Sequence, residues 1–164
     1  MKADLDEQLF EQLIQDHAHR RVGAILEEEL TNIADTPASA SLVSGTSTQY
    51  NPVCGDRLTL RAVVVDDRIV LVRWRGQGCV LSQVSASMMV GQFENQNLET
   101  FRRAADHLRA VLRDPDTVGP EEALLGDAIA LSGAARLPAR IKCVMLAWVA
   151  LEEAVDVGTS TAGD

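Results

Sequence analysis

LTLRAVVVDDRIVLVRWRGQGC, Leu58 to Cys79, is the stretch that decides the fold. Leu58 to Val65 and Arg68 to Arg75 are rich in β-branched and apolar residues. Asp66-Asp67 between them fits a hairpin turn, although it lacks the Gly that a two-residue turn favours. Gly76-Gln77-Gly78-Cys79 closes the second strand, and Leu81 to Phe93 then reads as a helix with Ser82 and Ser85 at its start. Further on, Asn97 can cap a helix whose Leu98, Phe101, Ala105, Leu108 and Leu112 share one face, and Asp114-Pro115-Asp116 ends it. A looser segment runs from Pro120 to Ala135, after which Leu137-Pro138 opens a last helix over about Ala139 to Val155. Upstream of the hairpin, Leu9, Phe10, Leu13 and Ile14 mark a helical face within Leu5 to Leu30, where Gly23 is placed to divide the run. Asp35 to Gln49 shifts to Ser, Thr, Ala, Pro and Gly, a flexible loop with room for a short strand at Leu42-Val43. The sum is an α+β fold, a small antiparallel sheet with helices packed on one face. We expect a single domain over residues 1–157 and a disordered tail over 158–164.

The 164 residues are one domain's worth, and 46% hydrophobic content suffices for a sizeable core. Only Trp 2, Tyr 1 and Phe 3 are aromatic, so Leu, Val, Ile and Ala must fill that core. A net charge of −9 disfavours nucleic acid, because no basic stripe could neutralise phosphates, and it favours a partner with a basic docking patch. Met1-Lys2-Ala3-Asp4-Leu5-Asp6-Glu7 lacks the apolar core of a secretory signal, and no apolar run approaches membrane-spanning length. The expectation is a cytoplasmic, reducing compartment, where cysteines read as metal ligands or reactive thiols before disulfides.

The chain has three cysteines, Cys54, Cys79 and Cys143, which cannot pair off completely. Cys54 and Asp56 flank Gly55 in a turn that lets both side chains face one point. Cys79 precedes a helix, where orphan N–H groups and the dipole favour thiolate over thiol. Cys143 lies in the first turns of the last helix, with Arg140 three residues earlier on the same face. Three thiolates and the Asp56 carboxylate make the four ligands of a closed tetrahedral zinc site. Such a site carries a formal charge of about −2, part of which the Arg140 guanidinium would offset. The competing reading makes the cysteines buried small hydrophobes. It suits Cys143, in an apolar helix, better than Cys54 or Cys79, in Gly-rich turns. His17 and His19, two apart on a helix, point in different directions and cannot chelate together; solvated or capping roles are expected. His107 belongs to a polar helix side, Met88-Met89 to the core, and Trp74 and Trp148 to packing.

Four motifs in order carry a family resemblance: Asn51-Pro52-Val53-Cys54-Gly55-Asp56, Gly76-Gln77-Gly78-Cys79, Ser85-Ala86-Ser87-Met88-Met89, and Pro138-Ala139-Arg140-Ile141-Lys142-Cys143. With Asp16-His17 and Leu146-Ala147-Trp148, they resemble the SufU branch of the IscU/NifU-like iron–sulfur assembly proteins, from about Leu9 to Glu153. The IscU scaffold pattern has a His directly before its last cysteine; here that residue is Lys142. The longer spacing between Cys79 and Cys143, including Gly119 to Ala135, is also SufU-like. His19 to Gln49 departs from the family's usual sequence. The resemblance implies the IscU-like α+β sandwich and zinc held by Cys54, Asp56, Cys79 and Cys143. It implies that Cys54 accepts persulfide sulfur from a PLP-dependent, SufS-type cysteine desulfurase. The desulfurase would supply a His to the zinc and so free the acceptor, and a downstream iron–sulfur assembly scaffold would take the sulfur on.

Three functions remain open on the sequence: a zinc-dependent, sulfurtransferase-like persulfide acceptor; a scaffold holding an iron–sulfur cluster transiently on the same thiolates; and a structural zinc module that binds a protein. A hydrolytic zinc enzyme fits poorly, since four protein ligands leave no open position for water.

Overall fold

The computed structural model describes residues 2–26, 29–30 and 42–162. Helix α1 spans Lys2–Arg20, and strands β1 (Leu42–Asn51), β2 (Asp56–Val65) and β3 (Arg68–Gln77) form one antiparallel sheet in that order. Helices α2 (Val80–Phe93) and α3 (Leu98–Arg113), a single turn α4 (Glu122–Leu125), a 3-10 stretch (Gly126–Arg136) and the long α5 (Pro138–Ala162) follow.

The β2–β3 hairpin forms where its β-branched residues place it. Asp66 and Asp67 take φ of +49° and +60°, the left-handed pair that a tight hairpin turn needs, which Asp tolerates better than most residues. One face of the hairpin carries Leu58, Leu60, Ala62, Val72 and Trp74, all buried. That face is covered by α2 and α5, with α3 and the 3-10 stretch continuing the core behind them. Phe93, Phe101 and Trp148 cluster there with ring centroids 5.5–5.8 Å apart. Ser85 fixes α2 to α5: its hydroxyl donates to the Val144 carbonyl (2.6 Å) and accepts from Trp148 Nε1 (2.9 Å).

Asn97 caps α3 by accepting the Glu99 N–H at 2.8 Å, and the expected face of that helix is buried from Phe101 onward, with Leu98 half-buried. The first helix ends at Arg20. Arg21 (φ +45°) and Gly23 (φ +77°) turn the chain, and the Trp74 N–H to Gly23 carbonyl and Ile25 N–H to Trp74 carbonyl bonds lay it along β3.

Four expectations need correction. Leu42 to Gln49 is strand, not loop: β1 pairs with β2 from Leu42↔Val65 to Asn51↔Asp56. Its residues are small because α5 lies against them; a Cβ on Gly45 would sit 1.8 Å from the Ala154 carbonyl oxygen. Its polar groups are satisfied, Thr48 by Thr59 (2.9 Å), Ser47 and Gln49 by Glu153 of α5. The remainder of the expected loop, 35–41, lies outside the described residues. Second, the expected tail is helical through Ala162, because Gly158 lets α5 pass β1 closely; a Cβ there would meet the Ser44 carbonyl oxygen at 2.7 Å. Third, the looser segment after Pro120 forms α4 and the 3-10 stretch.

The fourth concerns His17, which is buried rather than solvated. Its Nε2–H donates to Asp127 Oδ2 and its Nδ1 hydrogen-bonds with Ser87 Oγ, both at 2.8 Å, while Ser87 also accepts the Val22 N–H. One imidazole thus links α1 to α2 and to the 3-10 stretch. Among the described residues, no helix is long and apolar enough to cross a membrane.

Candidate metal centre

The four predicted ligands come from three chain segments that meet at one end of the sheet. Cys54 sits in the turn between β1 and β2, half-buried. Gly55 takes φ +73° there, and its N–H returns to the Asn51 carbonyl at 2.8 Å. Asp56, the first residue of β2, is fully buried. Cys79 is the extended residue directly before α2, and its N–H and thiol donate to the two oxygens of Asp56 at 2.7 and 3.3 Å. Gly78 (φ +138°) makes this approach possible, since a Cβ on it would lie 2.0 Å from Asp56 Oδ1. Cys143 is buried in the second turn of α5.

Donor atoms of Cys54, Asp56 and Cys143 lie within 4.8 Å of one another and could hold a metal ion. Cys79 falls outside that trio, although its thiol touches Asp56. Two sulfurs and a carboxylate oxygen so close together fit zinc's donor preference, with Cys79 at the edge of the group. His17, at Ser87 and Asp127, is engaged elsewhere, His19 is exposed, and His107 accepts the Glu121 N–H.

The electrostatics follow from that crowding. Burial pushes the Asp56 carboxyl up, but hydrogen bonds from the Cys143 thiol and from the Cys79 N–H and thiol, with Arg140 nearby, outweigh it and hold Asp56 below the ordinary carboxylate range. Burial, and then the Asp56 carboxylate as acceptor, push the Cys143 thiol far above an ordinary thiol. Without metal, therefore, Asp56 is ionised and Cys143 holds its proton, and a metal must displace that proton to bind sulfur. Arg140 is exposed one helical turn before Cys143; Cys79, then Cys54, when ionised would hold its guanidinium more firmly protonated.

Two residues at the centre went unassigned in the sequence. Asn51, 2% exposed, donates its Nδ2–H to Cys143 Sγ at 3.4 Å. Gly78 is the space into which Asp56 fits. Asn51 had a signal, its place at the head of the Cys54 motif, but in sequence an Asn before Pro reads first as a turn residue.

Residues 18–157 match the model of the NifU-like N-terminal domain. The chain belongs to that family. It is 36% identical over 105 residues to the iron–sulfur cluster assembly scaffold protein IscU of Streptococcus pyogenes serotype M1, covering 64% of this chain and 65% of that one. It is 35% identical over 105 residues to the zinc-dependent sulfurtransferase SufU of Bacillus subtilis (strain 168), covering 64% and 70%. The chain thus spans just under two-thirds of the first relative's length. The crystal structure of a NifU-like protein (N-terminal) from Brucella abortus superposes with a TM-score of 0.72 over 95% of this chain and 97% of that one; at 19% identity it speaks for the fold alone. The α+β architecture with an IscU-like sandwich is that of the family.

Proposed function

We propose that this chain is a SufU-type sulfur-transfer protein of iron–sulfur cluster assembly, which accepts sulfur on Cys54 from the persulfide of a cysteine desulfurase. The observation that carries this reading is the asymmetry of the centre. Cys143 is fully buried and Cys79 is tied to Asp56, whereas Cys54 is half-buried in a glycine turn beside exposed Arg140. Val53, Val80 and Leu137, next to Cys54, next to Cys79 and on the approach to Arg140, are all more than half exposed. Exposed apolar side chains beside the site suit a docked protein better than a small solute. Lys142, exposed, stands where the scaffold pattern has its His.

Cys54, Asp56, Cys79 and Cys143 are the residues that would hold zinc, which when bound keeps the thiols deprotonated at neutral pH. The transfer itself is a thiol–disulfide-type exchange. The Cys54 thiolate attacks the outer sulfur of the partner's persulfide, the partner's S–S bond breaks, and its cysteine leaves as a thiolate with the bonding pair. Cys54 carries the new persulfide, and no net oxidation occurs. Arg140 stabilises the anionic sulfurs during the exchange, and the docked partner keeps stray thiols from the product.

The test is the composition of the purified protein. About one zinc per chain in colourless protein is expected. Brown protein that carries iron and sulfide through a column would contradict it and favour the scaffold reading, to which the IscU relative's similar identity points.

Arg140 supplies a second expectation. Arg140→Ala should lower sulfur transfer about 10-fold or more while the melting temperature stays near wild type, because the side chain is exposed. Arg140→Lys should recover only part of the rate, since a point charge lacks the planar fork of donors. Wild-type rates for both in a coupled desulfurase assay would reduce Arg140 to a solvated helix residue.

A further inference from the structure

Resting on the zinc reading above, we propose that Asn51 is a positioning residue that holds the Cys54 turn with one end of its amide and fixes Cys143 as the thiolate that stays with the other. The side chain is 2% exposed, so its polar atoms must be spent inside the protein. Its Oδ1 accepts the Val53 N–H at 3.2 Å and its backbone carbonyl accepts the Gly55 N–H at 2.8 Å, which brackets Cys54 on both sides. Its Nδ2 then reaches 3.4 Å to Cys143 Sγ, on a different element 92 residues away in sequence. A single planar amide therefore sets where the Cys54 turn stands relative to the Cys143 sulfur.

The two thiols are thereby made unequal. Both approach the Ala139 carbonyl at 3.8 Å, a weak contact that does not distinguish them. Only Cys143 also receives an amide donor. A donor to a ligand sulfur disperses its charge and orients its lone pairs, and loss of such an outer partner typically weakens metal binding about 10–100-fold. Asn51 thus favours Cys143 as a permanent ligand and leaves Cys54 the freer one.

The test uses Asn51→Ala, which removes both contacts, and Asn51→Asp, which keeps an acceptor for Val53 but cannot donate to sulfur. Zinc affinity is read by chelator competition with the metal alone, beside the melting temperature of the metal-free protein. Both variants should bind zinc at least about 10-fold more weakly than wild type. Both variants should lower the metal-free melting temperature, Asn51→Asp because it buries a carboxylate, and a merely structural residue would shift that temperature without changing the affinity. Wild-type affinity in both variants overturns the inference and leaves the zinc site standing. Weak binding in Asn51→Ala with wild-type binding in Asn51→Asp confines Asn51 to the turn and overturns its role toward Cys143. A wild-type protein that binds no zinc overturns the zinc reading and this inference together.

Discussion

Gly78→Ala should yield a protein that melts well below wild type and holds zinc poorly. Two effects add at this position. The φ of +138° is one that side-chain-bearing residues rarely adopt, and holding Ala there costs about 1–3 kcal/mol. The new methyl would also lie 2.0 Å from Asp56 Oδ1 and 2.8 Å from Asp56 Cα, so the carboxylate or the strand carrying it must move. Asp56 is fully buried and receives the N–H and thiol of Cys79, and any shift breaks that pair of bonds. The strain alone predicts a melting temperature lower by about 3–10 °C. Displacing a ligand should cost zinc affinity by at least about 10-fold. Gly119→Ala is the control: no atom lies within 4 Å of its added Cβ, and it should behave as wild type. Thermal melts and chelator competition on the two variants check both halves. A Gly78→Ala protein with wild-type melting and zinc content would show that Asp56 is not held as described.

Cys54→Ala should abolish sulfur acceptance and leave a folded protein. The side chain is half-buried in a turn, where its thiol approaches the Ala139 carbonyl at 3.8 Å and lies beside Cys143, so its truncation removes little packing. The turn itself is closed by Asn51 and by Gly55 at φ +73°, neither of which depends on the thiol. Some zinc should remain on Asp56, Cys79 and Cys143. Cys143→Ala should behave differently. That sulfur is fully buried in α5 and holds the Asn51 amide, and its removal leaves a buried donor unpaired at about 1–3 kcal/mol. Circular dichroism for the fold and alanine release in a coupled desulfurase assay distinguish the two variants. Transfer surviving in Cys54→Ala at more than a few per cent of wild type would remove Cys54 from its role.

The sequence carried the sheet's centre and the helices well, and its edges poorly. Leu58 to Arg75 could be read as a hairpin because its β-branched residues pack the same core in the structure that their pattern implies. The strand from Leu42 to Asn51 could not, because its small and polar residues answer to something the local sequence does not show. Helix α5 passes so close that Gly45 has no room for a methyl, and Glu153 of that helix satisfies Ser47 and Gln49. The same contact keeps Gly158 and the residues through Ala162 helical, where composition alone reads as a frayed tail. At the centre, the cysteines and Asp56 stood out because few residue types perform this chemistry and three cysteines leave an odd one. Asn51 and His17 did not, because a polar side chain looks alike in sequence whether it meets water or, as here, Cys143 in one case and Ser87 with Asp127 in the other.

The account turns on which sulfur receives the persulfide. The direct measurement is to incubate the zinc-loaded protein with a cysteine desulfurase and cysteine, alkylate, digest, and locate the added sulfur by mass spectrometry. The account predicts the extra sulfur on the peptide containing Cys54, with those of Cys79 and Cys143 carrying none. Sulfur found mainly on Cys79 or Cys143, with Cys54 unmodified, would contradict it.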